Sequence, residues 1–196
     1  MPDREARCVY FEKGGPENTE ATLALARERA QTLGLEHIVV ASTSGQTGAR
    51  AAELFRGRGV VVVTHSTGFG GPNEQELQPD YQARIEGSGA RLLTCQHALG
   101  GLGRAVRRRL GTYQLEEIVA FVLRCFCQGM KVACEITVMA TDAGLVPSGE
   151  EIIAIGGTGR GADTAVVIRA ANGQDFFDLR IMEIICKPRL ADRPQD

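Results

Sequence analysis

From Ile38 to Phe55 the chain reads IVVASTSGQTGARAAELF. Ile38–Ala41 is a run of β-branched and small apolar residues with no polar alternation, the composition of a strand covered on both faces. Ser42-Thr43-Ser44-Gly45-Gln46-Thr47 then supplies hydroxyls and a glycine in immediate succession. From there a helix over about Thr47–Phe55 presents Gly48, Ala51, Ala52 and Phe55, small enough on one side to lie close to a sheet. Strand, turn and helix in this order form the unit from which parallel α/β sheets are built.

The same alternation extends in both directions. Cys8–Phe11, Val60–Thr64, Arg91–Cys95 and Ile152–Ile155 are further apolar runs, each too apolar to leave one face wet. Between them fall helical patterns: one starting near Pro16–Thr19, with Leu23, Ala26, Ala30 and Leu33 on one stripe and a glycine stop at Gly34, then Pro79–Glu86, Leu99–Leu110, Leu115–Cys127 and Met130–Ala143. After Gly161 the alternation ends, because Thr164–Arg169 and Leu179–Cys186 both read as strands with no helix between them. The expected fold is therefore a three-layer αβα sandwich with a mostly parallel mixed sheet and an antiparallel C-terminal edge. Gly68–Asp80 reads as a loop and the chain from Leu190 as a polar tail. No repeat or linker divides the 196 residues, so one domain over 1–196 is expected.

Composition narrows the function classes. The formal net charge is −2, which gives no global attraction to nucleic acid or to an anionic membrane. Met1–Arg7 is charged and lacks an apolar run, so no targeting peptide is read there and a cytoplasmic location is expected. The apolar stretch Glu116–Pro147 is interrupted by Arg124, Lys131, Glu135 and Asp142, and reads as two buried helices in place of a membrane span. The 6 cysteines lie mostly inside apolar runs without a C-x-x-C pair, so they are expected to be reduced core thiols and no metal site is expected. The 24 glycines, about 12% of the chain against a usual ~7%, are the compositional outlier. Most gather in five groups, each just after a predicted strand.

Open α/β sheets take ligands at the carboxyl ends of their strands. On that edge the Ser42–Thr47 turn offers four hydroxyls and unpaired N–H groups at a helix start, which suits a phosphate, although an ordinary helix cap uses the same residue types. A second glycine turn, Gly156-Gly157-Thr158-Gly159-Arg160-Gly161, precedes Asp163 and a strand. A dinucleotide fingerprint requires a helix at that point, so the turn reads as backbone donors with Arg160 as an anion ligand and Asp163 as an acceptor for a hydroxyl. A tight hairpin-like turn is the plainer alternative. His65 and His97 fall past the third and fourth strands, where either could meet a ligand or move a proton near neutral pH. Lys131, Glu135 and Asp142 share roughly one helix face, as a site, a wet stripe or an internal ion pair. The Arg104, Arg107, Arg108 and Arg109 run closes a helix with cations that favour its dipole.

The Ile38–Phe55 stretch, followed downstream by GGTGRGADTAVVI from Gly156, resembles the C-terminal α/β domain of pyruvate kinase. Over its full length the chain is more similar to the separate proteins named for that domain, through YFEKGGPENTEATL at the start and FFDLRIMEIICKPR at the end. The resemblance implies phosphate contacts at Ser42, Thr43, Ser44, Gly45 and Thr47, and a closing loop at Thr158, Gly159, Arg160 and Gly161. The kinase loop often carries basic residues where this chain has Thr43 and Gln46, which implies one phosphate in place of two. The separate proteins point to FMN, with Phe69 supplying part of an apolar shelf for its ring. The resemblance also implies a homo-oligomer. It does not imply phosphoryl transfer to ADP, since the kinase's catalytic barrel has no counterpart here. Three readings follow: binding of a phosphate-bearing small molecule, FMN first; an enzyme using that flavin or acting on a phosphorylated metabolite, with His65 or His97 as acid or base; and a module whose ligand controls a partner.

Overall fold

In the computed structural model, which describes residues 5–190, the apolar runs form seven strands of one sheet. In chain order these are β1 (Val9–Lys13), β2 (His37–Ala41), β3 (Gly59–Val63), β4 (Arg91–Leu93), β5 (Glu151–Gly156), β6 (Thr164–Arg169) and β7 (Arg180–Leu190). Six helices join them: α1 (Thr19–Leu33), α2 (Gln46–Leu54), α3 (Pro79–Gly87), α4 (Gly101–Leu110), α5 (Leu115–Arg124) and α6 (Gln128–Asp142). The readings of the chain start and of the polar tail fall largely on residues outside the described range.

The strand order is β1-β7-β6-β5-β2-β3-β4. β2 pairs in parallel with β3 and β5, and β3 with β4. β6 runs antiparallel to both β5 and β7, which gives the expected antiparallel C-terminal portion. The outermost strand on that side is the first of the chain, β1, which pairs in parallel with β7. β1 to β5 therefore share one direction, and their carboxyl ends share one edge. The five glycine groups follow these five strands in order and lie on that edge.

β2, β3, β5 and β6 bury both faces and do not alternate, whereas the outermost β1, read from sequence as covered on both sides, alternates and leaves Tyr10 58% exposed because no layer covers that face of the edge strand. Ile38 and Val40 of β2 join Leu23 and Ala26 of α1, Ala52 and Phe55 of α2 and Ile85 of α3 in one core, while Val39 joins Met130, Ala133 and Ala140 of α6 in a second. The sheet is thus the middle of three layers. α1 ends at Gly34, whose φ of 66° carries the left-handed stop, with its N–H bonded to the carbonyls of Ala30 and Gln31.

Two expectations change. The Glu116–Pro147 stretch holds two helices, but one is buried. α6 lies under the sheet, whereas α5 packs against the α6 core through Leu123, pairs its buried Glu117 with Arg107 of α4, and turns Leu115, Ile118, Phe121 and Val122 to solvent. The cysteines are all free; Cys127, Cys134 and Cys186 are core residues, while Cys125 is exposed. Burial pushes the Cys134 and Cys186 thiols up to about 12, so both are inert at neutral pH. Among the described residues no helix is long and apolar enough to cross a membrane.

Candidate functional site

A cleft of about 520 Å³ opens on the carboxyl edge, within the range of small-molecule sites. It is walled by the turn after β2, the segments after β3 and β4, the start of α6 and the β5–β6 turn. The first wall is the Ser42–Thr47 turn. Ser42 donates its N–H to the Val63 carbonyl at 2.9 Å and accepts the Gly48 N–H on Oγ at 3.0 Å, which fixes where α2 begins. The N–H groups of Thr43, Ser44, Gly45, Gln46 and Thr47 have no acceptor among the described residues. Five successive unpaired donors at a helix start form a cup for an anion. Gly45, at φ 94°, makes the bend. It does not line the cleft, because its free side meets Tyr81 and Leu77, where a Cβ would come within 2.6 Å and 2.7 Å.

The opposite wall is the β5–β6 turn. Gly157, Gly159, Arg160 and Gly161 line the cleft, and the Gly159 and Gly161 N–H groups are unpaired among the described residues. The exposed Arg160 side chain forms no hydrogen bond or ion pair there. Thr158 turns away: its N–H donates to Asp163 Oδ2 at 3.0 Å, and its hydroxyl lies against Gly14. Asp163 is fully buried and also accepts from the Gly15 N–H at 3.0 Å and the Thr164 hydroxyl at 2.8 Å. It does accept from a hydroxyl, as its position suggested, but the hydroxyl belongs to the protein. Its work is to shape the turn.

Between the walls stands an aromatic group. His65 and Phe69 have ring centroids 4.0 Å apart, and Phe69 stacks on His97 at 4.9 Å with 25° between the planes. Arg104 of α4 lies over the Phe69 ring at 4.8 Å. His65 Nδ1 is 2.7 Å from Glu76 Oε2, and its Nε2 is 3.4 Å from the Thr43 hydroxyl, so the loop after β3 is tied to the turn after β2. His97 Nε2 accepts the Ser66 N–H at 3.4 Å, which requires a lone pair there. Burial, outweighing the attraction of Glu135, lowers the His97 pKa to about 4. That shift keeps the His97 ring neutral at pH 7.

The floor comes from α6. Lys131 and Glu135 form a buried ion pair one turn apart, and Glu135 Oε1 also accepts the Leu99 N–H at 2.9 Å. Burial lowers the Lys131 pKa against the pull of Glu135. Asp142 does not join them; it accepts from Asn172 and Gly173 at the far end of the helix. Arg124 donates to Gln128 Oε1 at 2.6 Å and reaches both this cleft and an adjoining recess of about 280 Å³, lined also by Arg104, Arg107 and Arg108. Glu76, Arg104, Arg124 and Gln128 were missed as site residues because they lie on segments whose sequence reads as loop or ordinary helix. The interruption of an apolar run by Arg124 was the available signal. Among the described residues no group of three or more His, Cys, Asp or Glu is placed to hold a metal ion.

Of the expected residues, Ser42, Thr43, Ser44, Thr47, His65, Phe69, His97, Gly159, Arg160 and Gly161 meet around one cleft, and Gly45 and Thr158 support it from behind. An open α/β sheet with a run of unpaired N–H groups and an aromatic group around a cleft at its carboxyl edge defines the class of the fold, a three-layer α/β domain. The chain belongs to the family described as pyruvate kinase, alpha/beta domain, whose family model matches residues 20–168. Crystal structures of pyruvate kinase from Cryptosporidium parvum, one of them in complex with ADP, are similar at 15% identity with TM-scores of 0.41, 0.39 and 0.40. The match covers 78% of this chain and 23%, 22% and 24% of theirs, so the chain spans about a quarter of the length of those kinases.

Proposed function

We propose that the cleft binds a small molecule through a single phosphate group, and that FMN is the ligand. The observation that carries the reading is the run of five unpaired N–H groups from Thr43 to Thr47, placed across from the uncommitted Arg160 guanidinium. The donors are neutral dipoles and the added charge is small, which suits one phosphate better than two. The cleft is also large enough for the rest of a flavin mononucleotide, and the part-exposed Phe69 gives its wall an apolar edge beside which an isoalloxazine ring would lie. When bound, the flavin would supply redox chemistry; the chain's own part is to hold the phosphate at Ser44–Thr47 and Arg160 and to exclude water at Phe69.

Titration of the apo protein with FMN, followed by flavin fluorescence, is expected to saturate at one ligand per chain. Arg160→Ala is expected to weaken binding by about tenfold or more, the worth of a charge-assisted hydrogen bond. Unchanged fluorescence, with inorganic phosphate still raising the thermal midpoint, removes FMN and leaves the phosphate cup. No response to either ligand removes both.

A second reading, a flavin-dependent or phosphometabolite-processing enzyme, is favoured by the Glu76–His65 pair. The carboxylate at Nδ1 orients the ring and leaves Nε2 toward Thr43 and the cleft, where it can take or give a proton. His65→Gln is then expected to abolish turnover of a reactive ligand while its binding stays within a fewfold.

A further inference from the structure

The Lys131–Glu135 pair sets two charges into the most apolar part of the cleft. Stability is a weak reason for such a pair, because the cost of dehydrating both ions offsets their attraction. Yet α6 carries it at 5% and 4% exposure, beside Val132, Ile136 and Met139 on the same floor. Glu135 is fixed at both oxygens: Oε2 takes the Lys131 ammonium and Oε1 accepts the Leu99 N–H at 2.9 Å. Lys131 is held once. One of its three N–H groups serves Glu135, and the other two have no acceptor among the described residues. Burial outweighs the pull of Glu135 and, with the charges of Arg124 and Arg104, lowers the Lys131 pKa. Desolvation and neighbouring cations are the two influences that make a lysine an amine nucleophile. Of Lys13, Lys131 and Lys187, it is Lys131 that lines the cleft.

We propose that Lys131 is a nucleophile and that the cleft holds a phosphate-bearing aldehyde as an imine on its Nζ. Such a ligand gives the second reading above its substrate class and, like that reading, depends on the unpaired N–H groups from Thr43 to Thr47 to take the phosphate. An aldehyde is the least crowded carbonyl, which suits a nitrogen this deeply set. Glu135 Oε2 takes one ammonium proton, and the freed lone pair forms the N–C bond as the carbonyl π pair moves to oxygen. Glu135 returns the proton to that oxygen, which gives a carbinolamine. A second nitrogen proton follows the same route; the C–O bond breaks, the oxygen leaves as water, and the nitrogen lone pair closes the C=N bond. The product is a protonated imine beside the Glu135 carboxylate, with no net change of charge and no redox partner.

Pyridoxal phosphate, an aldehyde with one phosphate, is the probe, and borohydride reduces any imine to a stable secondary amine that peptide mass mapping locates. One phosphopyridoxyl group per chain is expected, on Lys131 ahead of Lys13, Lys187 and the N-terminal amine. Pyridoxal without the phosphate, and pyridoxal phosphate in excess inorganic phosphate, are each expected to label Lys131 about tenfold less. Lys131→Arg keeps a cation for Glu135 but forms no imine, so it is expected to stay unlabelled in the cleft with unchanged far-UV circular dichroism. If that variant does not fold, the map of the wild-type chain carries the test alone. An adduct confined to the other amines, or no adduct, overturns the imine; a thermal midpoint raised by inorganic phosphate in the same sample then leaves the phosphate cup standing. Labelling of Lys131 that is indifferent both to the probe's phosphate and to free phosphate overturns the phosphate-bearing substrate class and the cup with it.

Discussion

His97 shows how one side chain's surroundings set both its chemistry and its cost. Its Nε2 serves as an acceptor for Ser66, one face stacks on Phe69, and burial holds its pKa at about 4 against an ordinary 6.5. Between these values the unfolded chain binds a proton that the folded chain refuses, so stability rises with pH across that window. The contribution is fully present above pH 6.5 and is lost as pH falls toward 4. It is worth on the order of 2 kcal/mol once the ring's partial exposure is allowed for. The thermal midpoint is therefore expected to fall by several degrees between pH 6.5 and 4, and His97→Gln, which keeps an acceptor but cannot charge, to flatten that slope. A His97→Gln profile that tracks the wild type would assign the acid sensitivity to other groups. Sequence placed His97 on the right edge, since a strand end is legible. It could not fix the pKa, which depends on how deeply the loop after β4 is packed under Phe69.

At the level of elements, the approach of α2 to the sheet governs the proposed phosphate cup. A Cβ at Gly48 would stand 2.4 Å from Val62 Cγ1 of β3 and 3.2 Å from Ser42 Cβ. Gly48→Ala must therefore push α2 off the strand, at a cost of about 1–3 kcal/mol, and move the unpaired N–H groups of the proposed cup. Gly34 is the control: its φ is also unfavourable for alanine, but nothing lies within 4 Å of a Cβ there. Gly34→Ala is expected to cost about 1 kcal/mol in denaturant unfolding and leave phosphate binding unchanged, whereas Gly48→Ala lowers both. Equal binding by the two variants would detach the cup from α2's seat. The elements themselves were legible because periodicity marks them: the turn after β2 and the stop at Gly34 stand where the residue pattern puts them. α5 was misjudged as buried because an apolar stripe looks the same in sequence whether it faces a core or solvent, and periodicity carries no information about what covers it.

On the scale of the molecule, the site depends on contacts between distant parts of the chain that no local pattern announces. Topology alone brings the segments after β2, β3, β4 and β5 to one edge, which is why most of the cleft could be read from sequence. Glu76 and Arg104 escaped because their role arises only when a loop and a helix fold back over that edge. Asp163 is the extreme case. Its carboxylate joins the end of β1, 148 residues away, to the β5–β6 turn by accepting from Gly15 and Thr158, and it takes the Thr164 hydroxyl as well. Replacing it with alanine leaves two backbone N–H groups without their acceptor, each costing about 1–3 kcal/mol when buried. Asp163→Ala is therefore expected to lower the unfolding free energy by about 3 kcal/mol, and to loosen the start of the chain and the Gly157–Gly161 turn together. Hydrogen exchange provides the check: protection should fall at Gly15 and at Thr158 in the same variant while the β2–β3 pair stays protected. Loss confined to the turn would mean that β1 is held by its pairing with β7 alone, and that the carboxylate's bond to Gly15 contributes nothing to closing the sheet.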